Sequence, residues 1–226
     1  MKCFADADAA THALPLIALN ANDLETWLAT QAPSVRSWVD ANAWKAKPGS
    51  SLLLPGADGR AASVLVGLGD ELDPLALSHL PMQLPEGNYR LDPDSVRRLE
   101  PARAALGWGL GAYQYTRYVA PARAPARLVL DTAALADALA QLEASVLVRD
   151  LVNTPTEDMG PEQLEGVARR MAQAHGAEFG CVVGEHLLQQ NFPAIHAVGR
   201  ASHRAPRLIE LNWGDPEHPR IAIVGK

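Results

Sequence analysis

The chain has 226 residues, 48% hydrophobic and 20% charged, with a formal net charge of −6. That is apolar material for one large domain or two small ones, and the acidic balance gives a nucleic-acid backbone or an anionic membrane surface no electrostatic help. Cys3 and Cys181 are the only cysteines, too few and too far apart for a disulfide framework or a metal knuckle, which makes a reducing cytoplasm the default.

Near the N-terminus, Asp6 and Asp8 stand where a signal peptide would need an apolar stretch. No apolar run approaches the roughly 20 residues that span a bilayer. Leu14 to Leu19 reads as the first strand. Asp23 is expected to cap a helix through Leu24, Trp27 and Leu28, and Ser34 a second through Val35, Trp38 and Val39. Leu52–Leu54 and Ser63–Leu68 read as strands joined through Pro55-Gly56-Ala57-Asp58-Gly59, a hairpin or loop. Asp73-Pro74 opens a short helix. Asn88 to Leu91 reads as a strand, followed by a helix with Val96 and Leu99. Pro101 kinks that helix or starts another, on which Leu106, Leu110 and Tyr113 would form the apolar face.

Arg127 to Leu130 reads as a strand. Asp131 and Thr132 begin a long helix whose Leu135, Leu139, Leu142 and Val146 keep a 3.6-residue period. Pro155 ends it at Thr154. Pro161 starts a helix carrying Leu164, Val167, Ala168 and Met171, and Gly176 closes it. Strands are then expected at Glu178–Val183, Ala194–Val198, Leu208–Trp213 and Arg220–Val224, with a short helix at Glu185–Gln190. The last strand is apolar throughout, as if covered on both faces. The reading divides the chain near Asp131, into an N-terminal α/β domain at 1–130 and a second unit at 131–226.

Gly107-Trp108-Gly109-Leu110-Gly111 lacks the spacing and the preceding strand of a dinucleotide fingerprint. Close helix packing is the better account of its glycines. None of the seven histidines forms an i,i+4 pair around a glutamate, and no serine sits in a nucleophile elbow. Glu157-Asp158 suits a helix N-terminus. Asp215 and Glu217 read as a solvated turn. Only the tip of the last strand draws attention, because open α/β sheets gather function beyond the carboxyl ends of their strands. Gly225 and Lys226 stand there, and spacing alone leaves Lys226 open between ligand and snorkelling lysine.

Several stretches together resemble the leucyl aminopeptidase (cytosol aminopeptidase) family. They are Arg149-Asp150-Leu151-Val152-Asn153-Thr154-Pro155, Asp158-Met159, Gly160-Pro161-Glu162-Gln163-Leu164, Ala197-Val198-Gly199-Arg200-Ala201-Ser202, Pro206-Arg207-Leu208 and Ile223-Val224-Gly225-Lys226. The match before Asp131 is weaker and rests on Val66-Gly67-Leu68-Gly69 and on Gly111 to Tyr118. Ala201 departs from the glycine that many members have there, which implies a local loop difference.

The resemblance implies an α/β protein: a macro-like N-terminal domain, a linking helix, and the first strands of a mixed-sheet catalytic domain. It implies two divalent metal ions, manganese or zinc, peptide substrates, and assembly as a homo-oligomer, a hexamer. In the family the lysine matching Lys226 is a metal ligand, and the acidic ligands follow it in segments absent here. This stretch alone is therefore expected to be inactive and metal-free. The resemblance also leaves open a different role for the N-terminal domain, as an assembly, regulatory or nucleotide-binding module, since macro domains bind ADP-ribose. Some family members bind DNA, but the acidic balance gives no reason to expect a nucleic-acid partner here, and no membrane partner is expected.

Overall fold

The structure, a computed structural model, describes residues 2–68, 73, 75–130 and 135–225. The chain divides into two compact units, Met1–Asp150 and Leu151–Lys226. Asp131 and Thr132 lie outside the described residues, as do Gly69, Pro74 and Lys226.

The first unit contains β1 (Phe4–Ala5), a 3-10 turn at Ala7–His12, β2 (Leu14–Leu19), α1 (Ala21–Ala29), α2 (Pro33–Ala41), β3 (Ser51–Pro55), β4 (Ala61–Gly67), α3 (Leu80–Gln83), β5 (Asn88–Leu91), α4 (Pro93–Arg98), α5 (Pro101–Gly111) and β6 (Arg127–Val129). The helix α6 (Ala136–Asn153) follows, and its residues 136–150 belong to this unit. Six strands form one sheet in the order β1-β6-β5-β2-β4-β3. All neighbours are parallel except the β3–β4 hairpin.

Strand side chains alternate between faces, and here both faces are covered. Leu16, Ala18, Val64, Val66, Tyr89 and Leu128 join one apolar cluster with Leu77, Leu80, Leu99 and Trp108. Ile17, Leu19, Leu52, Leu54 and Leu65 join another with Leu24, Val39 and Trp44. Neighbouring residues of β2 and β4 thus feed opposite layers, which makes a three-layer α/β unit. Each large side chain so buried stabilises by about 1.5–3 kcal/mol relative to exposure. Trp108, the largest, satisfies its indole by donating from Nε1 to the Ala126 carbonyl at 3.2 Å.

The first helices start slightly earlier than expected. Asn20 caps α1, its Oδ1 accepting from the Asp23 amide at 2.9 Å, which leaves Asp23 in the first turn. Pro33 is the first residue of α2, ahead of Ser34. Pro101 starts a separate helix, α5, whose buried side is Ala104, Ala105 and Trp108, not Leu106, Leu110 and Tyr113. Beside Trp108 that helix keeps small residues where its neighbours come too close for larger ones. A Cβ on Gly109 would fall 2.0 Å from Leu142 Cδ2 of α6, and one on Gly111 would fall 1.7 Å from the Ser78 carbonyl oxygen. The glycine-rich run is a packing device inside a helix.

The second unit contains α7 (Pro161–His175), β7 (Glu178–Val183), α8 (His186–Gln189), α9 (Pro193–Gly199) and β8 (Arg207–Asn212). β7 and β8 pair antiparallel from Glu178↔Asn212 to Val183↔Arg207. Gly176 ends α7 in the left-handed conformation at φ 66°, as its sequence position implied. On α7, Val167 and Ala172 are buried, whereas Leu164 and Met171 are exposed.

Two expected strands are corrected. Ala194–Val198 is helical, because Pro193 supplies a ready first helical residue and the apolar run is too short to decide between periods. Arg220–Val224 forms no strand: Ile221, Ile223 and Val224 are 87%, 95% and 92% exposed, and the segment pairs with no strand among the described residues. An apolar composition cannot make a strand without a neighbour to pair with.

Candidate functional site

The segment from Arg149 to Arg207 holds most of the motif residues, and each unit uses its share differently. In the first unit, Arg149 donates from Nη1 to the Leu110 carbonyl at 2.7 Å, and its guanidinium stands 5.3 Å from the Tyr113 ring centroid. The Tyr113 hydroxyl donates to Asp150 Oδ1 at 2.7 Å. Adjacent residues of α6 thereby grip the C-terminal end of α5. The family-like Arg-Asp pair is part of the frame.

In the second unit, the turn before α7 is built around Arg204. Its guanidinium donates to the Thr156 carbonyl and, at 2.8 Å, to the Glu157 carbonyl, and pairs with the Glu157 carboxylate at 3.4 Å. Gly160 is the residue this clamp requires. A Cβ there would lie 2.5 Å from Arg204 Nη1 and 2.9 Å from its Cδ. The Gly160 amide is taken by Gln163 Oε1 at 3.1 Å, which satisfies one donor at the start of α7. The glutamate of Glu157-Asp158 is thus a clamp partner, not only a dipole-favoured acid. Arg204 falls between the family-like stretches, and no local pattern would have singled it out.

A second polar group joins α7 to the β7–β8 pair. Glu165 accepts from Arg169 at 2.8 Å and from Arg207 Nε at 2.7 Å, and these two guanidiniums hold its carboxyl below the usual carboxylate range. Arg169 also covers the Phe179 ring at 4.2 Å. Burial, and then the neighbouring Glu165 charge, push the Cys181 thiol up, so it is a poor nucleophile. Gly199 packs on Pro206, where a Cβ would meet the Pro206 Cβ at 2.4 Å. Ala201 sits in the following turn without a left-handed backbone, so alanine fits there unstrained.

Other candidates stay apart. His196 Nε2 lies 3.1 Å from Glu185 Oε1, and His175 offers its carbonyl to Trp213 Nε1 at 3.0 Å. Asp215 receives the Glu217 amide at 2.9 Å in an exposed turn. Lys226 lies outside the described residues; Gly225 before it is exposed, with open space where a Cβ would be. Among the described residues no group of three or more His, Cys, Asp or Glu could hold a metal ion. The donor set of a two-metal centre is not present in them. Nor is any helix among them long and apolar enough to cross a membrane.

Comparison with known proteins matches both units. Residues 14–131 match the M17 aminopeptidase N-terminal domain, and residues 146–226 match the catalytic domain of the cytosol aminopeptidase family. A protein named Probable cytosol aminopeptidase from Corynebacterium glutamicum is 30% identical over 211 residues, covering 87% of this chain and 42% of the relative. The crystal structure of a cytosol aminopeptidase from Coxiella burnetii superposes with a TM-score of 0.88 at 32% identity, covering 97% of this chain and 48% of that one. The bottromycin maturation enzyme BotP in complex with Mn superposes at 0.70 with 25% identity, over 90% of this chain and 45% of that one. The chain thus spans less than half the length of these relatives. By these matches, the chain belongs to the M17, or cytosol aminopeptidase, family of peptidases.

Proposed function

We propose that the whole protein is a metal-dependent, leucyl-type aminopeptidase that releases N-terminal residues from peptides, works as a cytoplasmic homohexamer, and uses two divalent ions, manganese or zinc. The observation that carries this reading is the pair of family matches, residues 14–131 and 146–226, the second ending on the segment that leads to Lys226. A manganese complex of a structural neighbour supports the choice of metal.

Within this reading Lys226 is a metal ligand, and its chemistry sets a condition. An ammonium has no lone pair to donate, and an unperturbed lysine has a pKa of about 10.4. Ligation needs the neutral amine, which a neighbouring dication and burial both favour. When bound, paired ions supply Lewis-acid polarisation of the scissile carbonyl and a hydroxide nucleophile. The described part of the chain contributes the frame. The Arg204 clamp and the Glu165–Arg207 pair fix the start of α7 and its seat on the β7–β8 pair.

The test is hydrolysis of leucine p-nitroanilide by the whole protein with added manganese, beside the N-acetylated substrate. The expected result is turnover of the free-amine substrate and none of the acetylated one. Equal turnover of both, or none of either, contradicts the proposal.

A further inference from the structure

The first unit holds a cavity of about 220 Å³ that the family motifs do not touch. Its walls come from Asp73, Ala76 and Leu77, which follow β4 in the chain, and from the junction of α4 with α5, which follows β5. Those elements leave the carboxyl ends of parallel strands, the side where open α/β sheets receive ligands. Its apolar lining is the buried Ala76, Leu77, Leu99 and Ala104. Among the described residues, the charged lining is Asp73, Arg98, Glu100 and Arg103.

Two features decide what would fit. Among the described lining residues two guanidiniums stand with two carboxylates, and Asp23 of α1 adds a third beside Arg98, so a polyanion such as a nucleoside diphosphate would meet repulsion as well as attraction. The guanidiniums are also anchored. Arg98 is paired with Asp23 of α1, and Arg103 Nε with Glu100 at 3.0 Å. Each guanidinium has five donors in a planar fork, so one pairing leaves others for a carboxylate. A neutral ligand carrying both signs and an apolar tail matches all three elements.

We propose that this cavity binds a free zwitterionic α-amino acid with an aliphatic side chain, its carboxylate toward Arg98 and Arg103, its ammonium toward Asp73 and Glu100, and its side chain on Leu77 and Leu99. Such an amino acid is the product of the activity proposed above, so the site would let the N-terminal unit sense product. That regulatory meaning rests on the aminopeptidase reading, but the binding does not.

The experiment is calorimetric titration and thermal melting of the 226-residue chain with L-leucine, 4-methylpentanoate, 3-methylbutylamine and ADP-ribose. L-Leucine is expected to bind and to raise the melting temperature with concentration. The two half-ligands, each lacking one charge, should bind at least about tenfold more weakly, because a charged site left unpaired discriminates strongly. Arg103→Glu and Glu100→Gln change side chains 58% and 61% exposed and should leave the unliganded melting temperature within about 2 °C. Each should weaken L-leucine at least about tenfold. The proposal is overturned by no L-leucine binding at about 10 mM, by undiminished binding to both variants, or by ADP-ribose binding in its place. Because no turnover is measured, failure here leaves the aminopeptidase reading standing, and an inactive whole protein would leave this binding result standing.

Discussion

At the scale of single residues, two helix ends solve one problem with different amino acids. α2 closes with the Trp44 amide on the Val39 carbonyl at 3.2 Å and the Ala43 amide on the Asp40 carbonyl at 2.9 Å, which puts Ala43 in the left-handed region at φ 48°. α7 closes with Gly176 at φ 66°. A Cβ in that conformation costs about 1 kcal/mol, so Ala43→Gly should raise stability by about that amount and Gly176→Ala should lower it similarly, both read as urea midpoints. Gly176 was legible in the sequence because glycine after a periodic run announces a helix end. The end of α2 was not, because alanine there gives no such signal. The candidate site follows the same logic. Lys226 came from resemblance, whereas the Arg204 clamp was invisible because its partners are backbone carbonyls of Thr156 and Glu157, which any residue would supply.

At the scale of elements, the parallel strands of the first unit were readable because alternating apolar residues have a covered face on either side. Short apolar runs in the second unit were not, since Ala194–Val198 fits helix and strand alike. The sheet also contains a substitution of helix for strand that periodicity cannot reveal. β5 stops at Leu91 while β2 continues to Leu19, and α4 takes over its hydrogen bonds. The Asp92 amide donates to the Leu16 carbonyl at 3.0 Å, and the buried Ser95 Oγ accepts from the Ala18 amide at 2.7 Å. Ser95→Ala would strand that donor inside the protein and should cost about 1–3 kcal/mol. Chemical denaturation should show the loss, and hydrogen exchange should show it concentrated at the Ala18 amide.

At the scale of the whole molecule, the two units should respond to acid in different ranges. Burial lowers the His79 pKa from its ordinary 6.5, and its Nε2 has no hydrogen-bond partner among the described residues. The unfolded chain therefore binds that proton first, and the first unit loses stability as pH falls below 6.5. Glu165 is depressed by Arg169 and Arg207, so its contribution is complete above the ordinary carboxylate range and is lost only as pH falls through the lower folded value. Amide protection followed against pH should weaken first in the first unit, with His79→Gln flattening that phase and Glu165→Gln the later one. The family assignment concerns both units, but the chemistry proposed for the whole protein concentrates at one amine. Manganese titration of the whole protein against its Lys226→Met variant tests that most directly. The account predicts two ions per chain, with binding weakened at least about tenfold and turnover lost when the amine is removed; unchanged metal affinity and turnover in the variant would contradict it.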